Sequence, residues 1–272
     1  MRRLLWLLPL LAACGSPPRD GDSPPKKTSS RTPSRTTTRP AKQPAAYGDT
    51  RPIPQPTEDE VKEFARIWEY YRKEDPRWPL ERDRFKRRSD AAGYLMAVYL
   101  LQHYMQLNAV RERAGKQLVR AKNEIVAVGE PCAPPLVDMM VLDSIPRKDA
   151  PDFLVDDITR QDCLDMLERM GPQAVPALLG VYERKGIGPK GRRLTALALG
   201  GTKDPRAYDT LVRLLKEDPE WQVRADAATA LGRLGDRRAA QPLAEAIRKD
   251  ADRTVVERAR KARLELLAGA AR

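Results

Sequence analysis

The residues of this chain that could do chemistry are few and poorly spaced for it. His103 is the one histidine. A catalytic triad, or a metal held by imidazoles, needs further partners at set spacings, and no second histidine is present. His103 also lies inside an apolar run, so it reads as a packed or surface residue. Asp156 and Asp157 pair two carboxylates, but adjacent residues do not face each other on a helix. They fit the start of a helix, where negative charge complements the dipole. Phe64, Trp68, Tyr70, Tyr71 and Trp78 could line a pocket, yet at helical spacing they suit a core better. No G-x-S-x-G, Walker loop, H-E-x-x-H, paired C-x-x-C or calcium-loop pattern occurs. Catalysis has no positive support, and no cofactor or metal site is expected.

The cysteines at positions 14, 132 and 163 suggest two different chemistries. Cys132 and Cys163 form an even pair, which outside the cytoplasm invites a disulfide. They fall on the two helices of one expected hairpin. Cys163 stands several residues from the hairpin end that Cys132 occupies, and bonding needs Cα atoms within ~7 Å. Buried free thiols are the alternative.

Cys14 follows a positive start at Arg2-Arg3, an apolar run over Leu4–Leu11 broken only by Pro9, and small Ala12 and Ala13. Met1–Ala13 reads as a secretion signal. The run is too short for a bilayer, which takes ~20 helical residues. Leu11-Ala12-Ala13-Cys14 resembles the lipobox of bacterial lipoproteins. The resemblance implies cleavage before Cys14, diacylation of its sulfur and acylation of its new amino group. Two or three chains at ~0.8 kcal/mol per buried CH₂ anchor stably where one is marginal. Gly15, where an Asp would favour inner-membrane retention, implies the outer membrane of a two-membrane cell.

The net charge of +12 suggests acidic partners, but it is dispersed. Residues 15–57 hold 8 basic against 3 acidic residues, and residues 58–272 hold 40 against 35. No clustered basic face for nucleic acid is evident in that mixture. Residues 14–57 comprise the lipidated cysteine and a linker with ten of the 24 prolines and almost nothing to bury, a composition that predicts disorder. A flexible coil of that length averages roughly 35 Å end to end, with a limit near ~130 Å in polyproline II.

Helical signals begin at Thr57. Thr57 as N-cap with Glu60 three residues on is a capping box, and Val61, Phe64, Ala65, Trp68 and Tyr71 share a helical face. Asp75-Pro76 ends this helix, and Trp78-Pro79 falls in the connection. A second helix follows Ser89-Asp90 and is apolar nearly all round. A third, about 111–128, is amphipathic and basic. Together these form an N-terminal helical segment, 58–128, of which degenerate repeats are one reading.

Past residue 129 the chain repeats itself. Arg192, Ala196, Ala198, Leu199, Gly200, Asp204, Ala207 and Leu211 recur 32 residues later as Arg224, Ala228, Ala230, Leu231, Gly232, Asp236, Ala239 and Leu243. Gly171-Pro172 to Leu179 repeats the design of Gly129-Glu130-Pro131 to Val137 at a spacing of 42, explained by an insertion about Asp143–Asp152. Repeat starts fall near 131, 172, 204 and 236. Such a period means stacked two-helix units, since a pair of short helices cannot bury its apolar stripes alone. Gly200 and Gly232 read as the ends of inner helices. Arg192 and Arg224 start them, near Asp204 and Asp218 in sequence, and are expected to pair with loop Asp residues or carbonyls between repeats. Arg258, Ala259 and Ala262 echo Arg224, Ala225 and Ala228 at an offset of 34, in a basic terminal helix suited to capping the array, about 253–268.

Asp218, Val223-Arg224, Ala228, Leu231-Gly232, Asp236, Ala239 and Leu243 resemble the HEAT-like repeat also found in phycobilisome lyases. The resemblance implies an all-α fold, an α-solenoid of stacked HEAT-like hairpins over 129–272. It implies a role in protein–protein interaction, with lyase activity confined to particular members. The expectation is a lipid-anchored scaffold for an unidentified envelope protein or peptide. An enzyme built on the same solenoid is the alternative, and nucleic acid is not an expected partner.

Overall fold

A computed structural model describes residues 54–141, 157–184 and 186–269. The expected signal segment, Cys14, nearly all of the expected linker, the expected insertion and Asp156 lie outside these residues. Among the described residues there are twelve α-helices and no strand. They are α1 (Glu58–Arg72), α2 (Trp78–Lys86), α3 (Asp90–Asn108), α4 (Arg111–Val128), α5 (Ala133–Val141), α6 (Asp157–Met170), α7 (Val175–Leu179), α8 (Pro189–Thr202), α9 (Tyr208–Glu217), α10 (Trp221–Leu234), α11 (Ala240–Lys249) and α12 (Arg253–Gly269).

Four hairpins, α5/α6 to α11/α12, start where the sequence periods start. Their second helices stack as one layer, α6 on α8, α8 on α10 and α10 on α12. Their first helices form the other layer, with α5 against α7 and α9 against α11. The architecture is an all-α solenoid. The N-terminal segment joins it directly: α3 pairs with α4, α4 packs on α6, and α1 and α2 pack on α3. One continuous apolar cluster runs from Phe64 to Leu266.

The helix ends follow local chemistry. Thr57 accepts from the Glu60 amide, and Glu60 reaches back to the Thr57 amide at 2.8 Å. Ser89 caps α3 by accepting from the Ala92 amide. The Trp78-Pro79 pair, expected in a connection, opens helix α2 instead. Proline is tolerated in a first helical turn, where its missing N–H has no partner to lose, and Trp78 is buried.

Gly200 and Gly232 do not end helices. α8 runs on to Thr202 and α10 to Leu234, and the left-handed residues Lys203 and Gly235 stop them. The two glycines mark where neighbouring helices come closest. A Cβ on Gly200 would stand 2.6 Å from the Ala230 Cα, and one on Gly232 would stand 2.8 Å from the Ala262 Cβ.

These contacts also correct the register of the last helix. Ala262 meets Gly232 as Ala230 meets Gly200, so α12 follows α10 at an offset of 32, not 34. Val255, Ala259, Ala262 and Leu266 are buried like Val223, Ala227, Ala230 and Leu234. A second stripe of α10, buried Ala228 and Leu231 with half-buried Gly232, becomes Arg260, Arg263 and Leu264. Leu264 is 60 % exposed. Where α8 and α10 offer small or apolar residues to the next hairpin, α12 offers two arginines and a leucine too large for that approach. A polar outer face of this kind suits a terminal repeat.

Candidate interaction surface

The recurring charged residues sit at the joints between hairpins. Arg192, in the first turn of α8, donates through Nε and Nη2 to both oxygens of Asp218 at 2.8 and 2.9 Å. Its Nη1 donates to the Ile187 carbonyl. Asp218 lies in the α9–α10 turn of the next hairpin. One period on, Arg224 makes the same fork to Asp250 at 2.7 and 3.1 Å, and its Nη1 donates to the Asp218 and Pro219 carbonyls. Bidentate arginine–carboxylate pairs fix both geometry and charge. The partners are 26 residues apart, so neither is the nearby Asp204 or, for Arg224, the Asp218 side chain.

Asp204 and Asp236 cap the short 3₁₀ turns that begin their hairpins. Each accepts from the amide two residues on, at 2.9 Å. The side chains of Arg206 and Arg238 return to the same carboxylates. Those hydrogen bonds hold both carboxyls below the usual aspartate range. Arg206 also donates to the Pro172 carbonyl of the preceding turn, and Arg238 stacks on Tyr208. Arg192, Arg224, Asp204 and Asp236 therefore join neighbours, while Gly200 and Gly232 let them approach.

Among the described residues the two cysteines are buried and His103 is half-buried. Cys132 and Cys163 are free thiols, fully enclosed, and not the disulfide the spacing allowed. They face different surroundings: Cys132 feels the Lys86 ammonium, while Cys163 lies beside Tyr104. Burial pushes the Cys132 thiol up strongly and the Cys163 thiol up to about 12, so neither is a ready nucleophile. Phe64, Tyr71 and Trp78 are core, with Trp68 and Tyr70 packed on its margin. Trp78 Nε1 donates to Glu124 at 2.7 Å, which also takes Arg82. His103 stands edge-on to Trp68 and Tyr71. Burial, aided by nearby Arg120, lowers its pKa. Among the described residues no three His, Cys, Asp or Glu side chains are placed to hold a metal ion, and no helix is long and apolar enough to cross a membrane.

The exposed side of the α6–α8–α10–α12 layer carries features the sequence did not reveal. Glu168 of α6 lies across Gly201 of α8, where a Cβ would stand 2.4 Å from its Cγ, and pairs with Arg233 of α10 at 2.7 Å. Closer to the helix starts is a cleft of about 290 Å³ lined by Arg160 and Gln161 of α6, Lys190, Arg193, Leu194 and Leu197 of α8, and Asp226 of α10. Asp226 is buried and takes Arg193 Nε at 2.7 Å from one side and Arg258 of α12 from the other. These residues come from four helices, so no single stretch of sequence displays the set.

The stacked hairpins and their inter-repeat forks define an α-solenoid repeat protein. Within it, residues 188–262 match the family model of HEAT repeats. No curated protein matches the chain. HEAT repeats serve in general as protein-interaction scaffolds, and no residue set described above forms a catalytic constellation.

Proposed function

We propose that this chain is an exported lipoprotein whose HEAT-repeat solenoid binds a protein or peptide in the bacterial cell envelope. The observation that carries the reading is the lipobox-like Leu11-Ala12-Ala13-Cys14 ahead of a proline-rich tether and a repeat array. Two or three acyl chains on Cys14 hold the protein to the membrane, on the periplasmic side of the outer membrane in a two-membrane cell. The tether then lets the solenoid reach partners tens of ångströms from the surface. The solenoid supplies long adjacent surfaces suited to docking.

The test is metabolic labelling with an alkyne fatty acid in a bacterial host, combined with membrane fractionation. Label should enter the wild-type chain and be lost in Cys14→Ser, which should leave the membrane. Undiminished membrane association of the unlabelled variant would sink the anchor. In-cell crosslinking from the solenoid should then give discrete envelope protein adducts. Their absence, or adducts confined to cytoplasmic proteins or nucleic acid, would overturn the placement.

A further inference from the structure

We infer that the outer face of α12 rests on an anionic phospholipid bilayer. The inference rests on the lipoprotein reading above for its occupant, since a chain tethered to a membrane keeps that surface within reach. α12 is the last helix of the second layer, so one side of it meets no following hairpin. Val256, Arg260, Arg263, Leu264 and Leu267 share that side at helical spacing. Leu264 and Leu267 are 60 % and 47 % exposed. Leu264 stands where α10 has Gly232. Leu267 stands where Gly235 stops α10, and α12 instead runs on to Gly269. Both leucines are turned outward rather than into the array.

The charges of α12 sort onto the same face. Arg253 pairs with Glu257, Arg258 with Asp226 and Lys261 with Glu265. The side chains of Arg260 and Arg263 make no ion pair or hydrogen bond with a described residue, and Arg263 Nε is enclosed without an acceptor. The two free guanidinium groups are thus the two that flank the outward leucines. Lipid phosphates accept from guanidinium nitrogens, and arginine stems lie along apolar surface while their heads stay at the headgroups. A face of leucine and arginine suits a helix lying in the interfacial plane. Other occupants fit less well. A further hairpin needs the close approach that Gly200 and Gly232 allow, and Leu264 blocks it. A second copy of the face would bring four unpaired guanidinium groups together. The reach is sufficient. From α4 through α6, α8 and α10 to α12 the packed helices advance about 8–10 Å at each step, a span comparable to the roughly 35 Å that the linker averages.

The test places an environment-sensitive fluorophore beside the leucines of the full chain. Ala268 is exposed, so Ala268→Cys in the Cys14→Ser background gives one accessible thiol, Cys132 and Cys163 being buried. A matched probe at Asp209→Cys, exposed on α9, is the control. Vesicles of phosphatidylcholine with phosphatidylglycerol should brighten and blue-shift the probe at 268 but not the probe at 209, and added salt should weaken the response. Arg260→Gln and Arg263→Gln should each raise the lipid needed for half the response by about fivefold, the scale of one cation at an anionic surface. Leu267→Ser should raise it by a similar factor. Melting curves are checked alongside, and if Arg263→Gln unfolds the chain, fully exposed Arg260 carries the test. An equal response to phosphatidylcholine alone, an equal response at 209, or indifference to the three substitutions would overturn the inference. A blue shift that grows with protein concentration without vesicles would overturn it in favour of a second copy. The probed chain carries no acyl group, so the two readings fail separately. A silent probe with fatty-acid label on wild-type Cys14 removes the α12 contact and leaves the anchor. A responsive probe without that label removes the anchor and leaves the contact.

Discussion

Arg224 grips Asp250 through the same two-nitrogen fork with which Arg192 grips Asp218. The repetition of sequence is therefore also a repetition of one joint. Both carboxylates are nearly enclosed, with side-chain exposures of 4 and 8 %. Hydrogen bonding from Arg224 holds the Asp250 carboxyl below its ordinary range. A lowered folded pKa contributes stability above the unfolded value near 3.8, and that stability is lost as pH falls through the folded pKa.

Asp250→Asn should lower stability by about 1.5–3 kcal/mol at neutral pH, the range for hydrogen bonds to charged groups. Urea denaturation reads this out. Combined with Arg224→Gln, the two losses should fall well short of additive, since both remove one joint. Full additivity in the double-mutant cycle would show that the pair does not act as a unit.

Gly232→Ala should destabilise the chain although alanine is the better helix former by ~1 kcal/mol. The added methyl meets Ala262 at 2.8 Å, and overpacking of this kind costs about 1–3 kcal/mol. Gly200→Ala should cost more, because its new methyl meets the backbone of Ala230 at 2.6 Å. A rise in melting temperature for either variant would contradict the close approach of α8, α10 and α12.

His103 predicts a mild acid sensitivity. Burial lowers its folded pKa beneath the ordinary 6.5, so the unfolded chain binds the proton more readily. Stability is full above pH 6.5 and falls as pH drops from there towards the folded pKa. His103→Gln should flatten the stability profile between pH 7 and 5. An unchanged slope would assign that sensitivity elsewhere.

Cys132 and Cys163 should be silent to a thiol reagent in the folded chain and react together on unfolding. In the Cys14→Ser background, native protein should release no chromophore with Ellman's reagent, and denatured protein should release that of two thiols. One prompt thiol would contradict the burial. None after denaturation would indicate a disulfide.

Much of the fold was legible because it rests on short-range pattern. The 32-residue period recurs at a fixed step, and the Thr57 capping box lies within a few residues. Pro79 misled because a proline in a first turn and a proline in a loop look alike in sequence. Gly200 and Gly232 misled because glycine both ends helices and allows them to touch, and only the position of Ala230 and Ala262 distinguishes the two. The partners of Arg192 and Arg224 depend on how one hairpin sits on the next. The cleft was least accessible of all, since Arg160, Arg193, Asp226 and Arg258 belong to four successive second-layer helices.

The clasp of Glu168 and Arg233 over Gly201 has a mechanical consequence. In an ordinary repeat stack each unit feels only its immediate neighbours, so the stack flexes like a chain of independent hinges. This ion pair skips a unit, tying α6 to α10 across α8. Bending or twisting at either of the two intervening hinges must stretch it. The array should therefore be stiffer between α6 and α10 than contacts between nearest neighbours alone would make it.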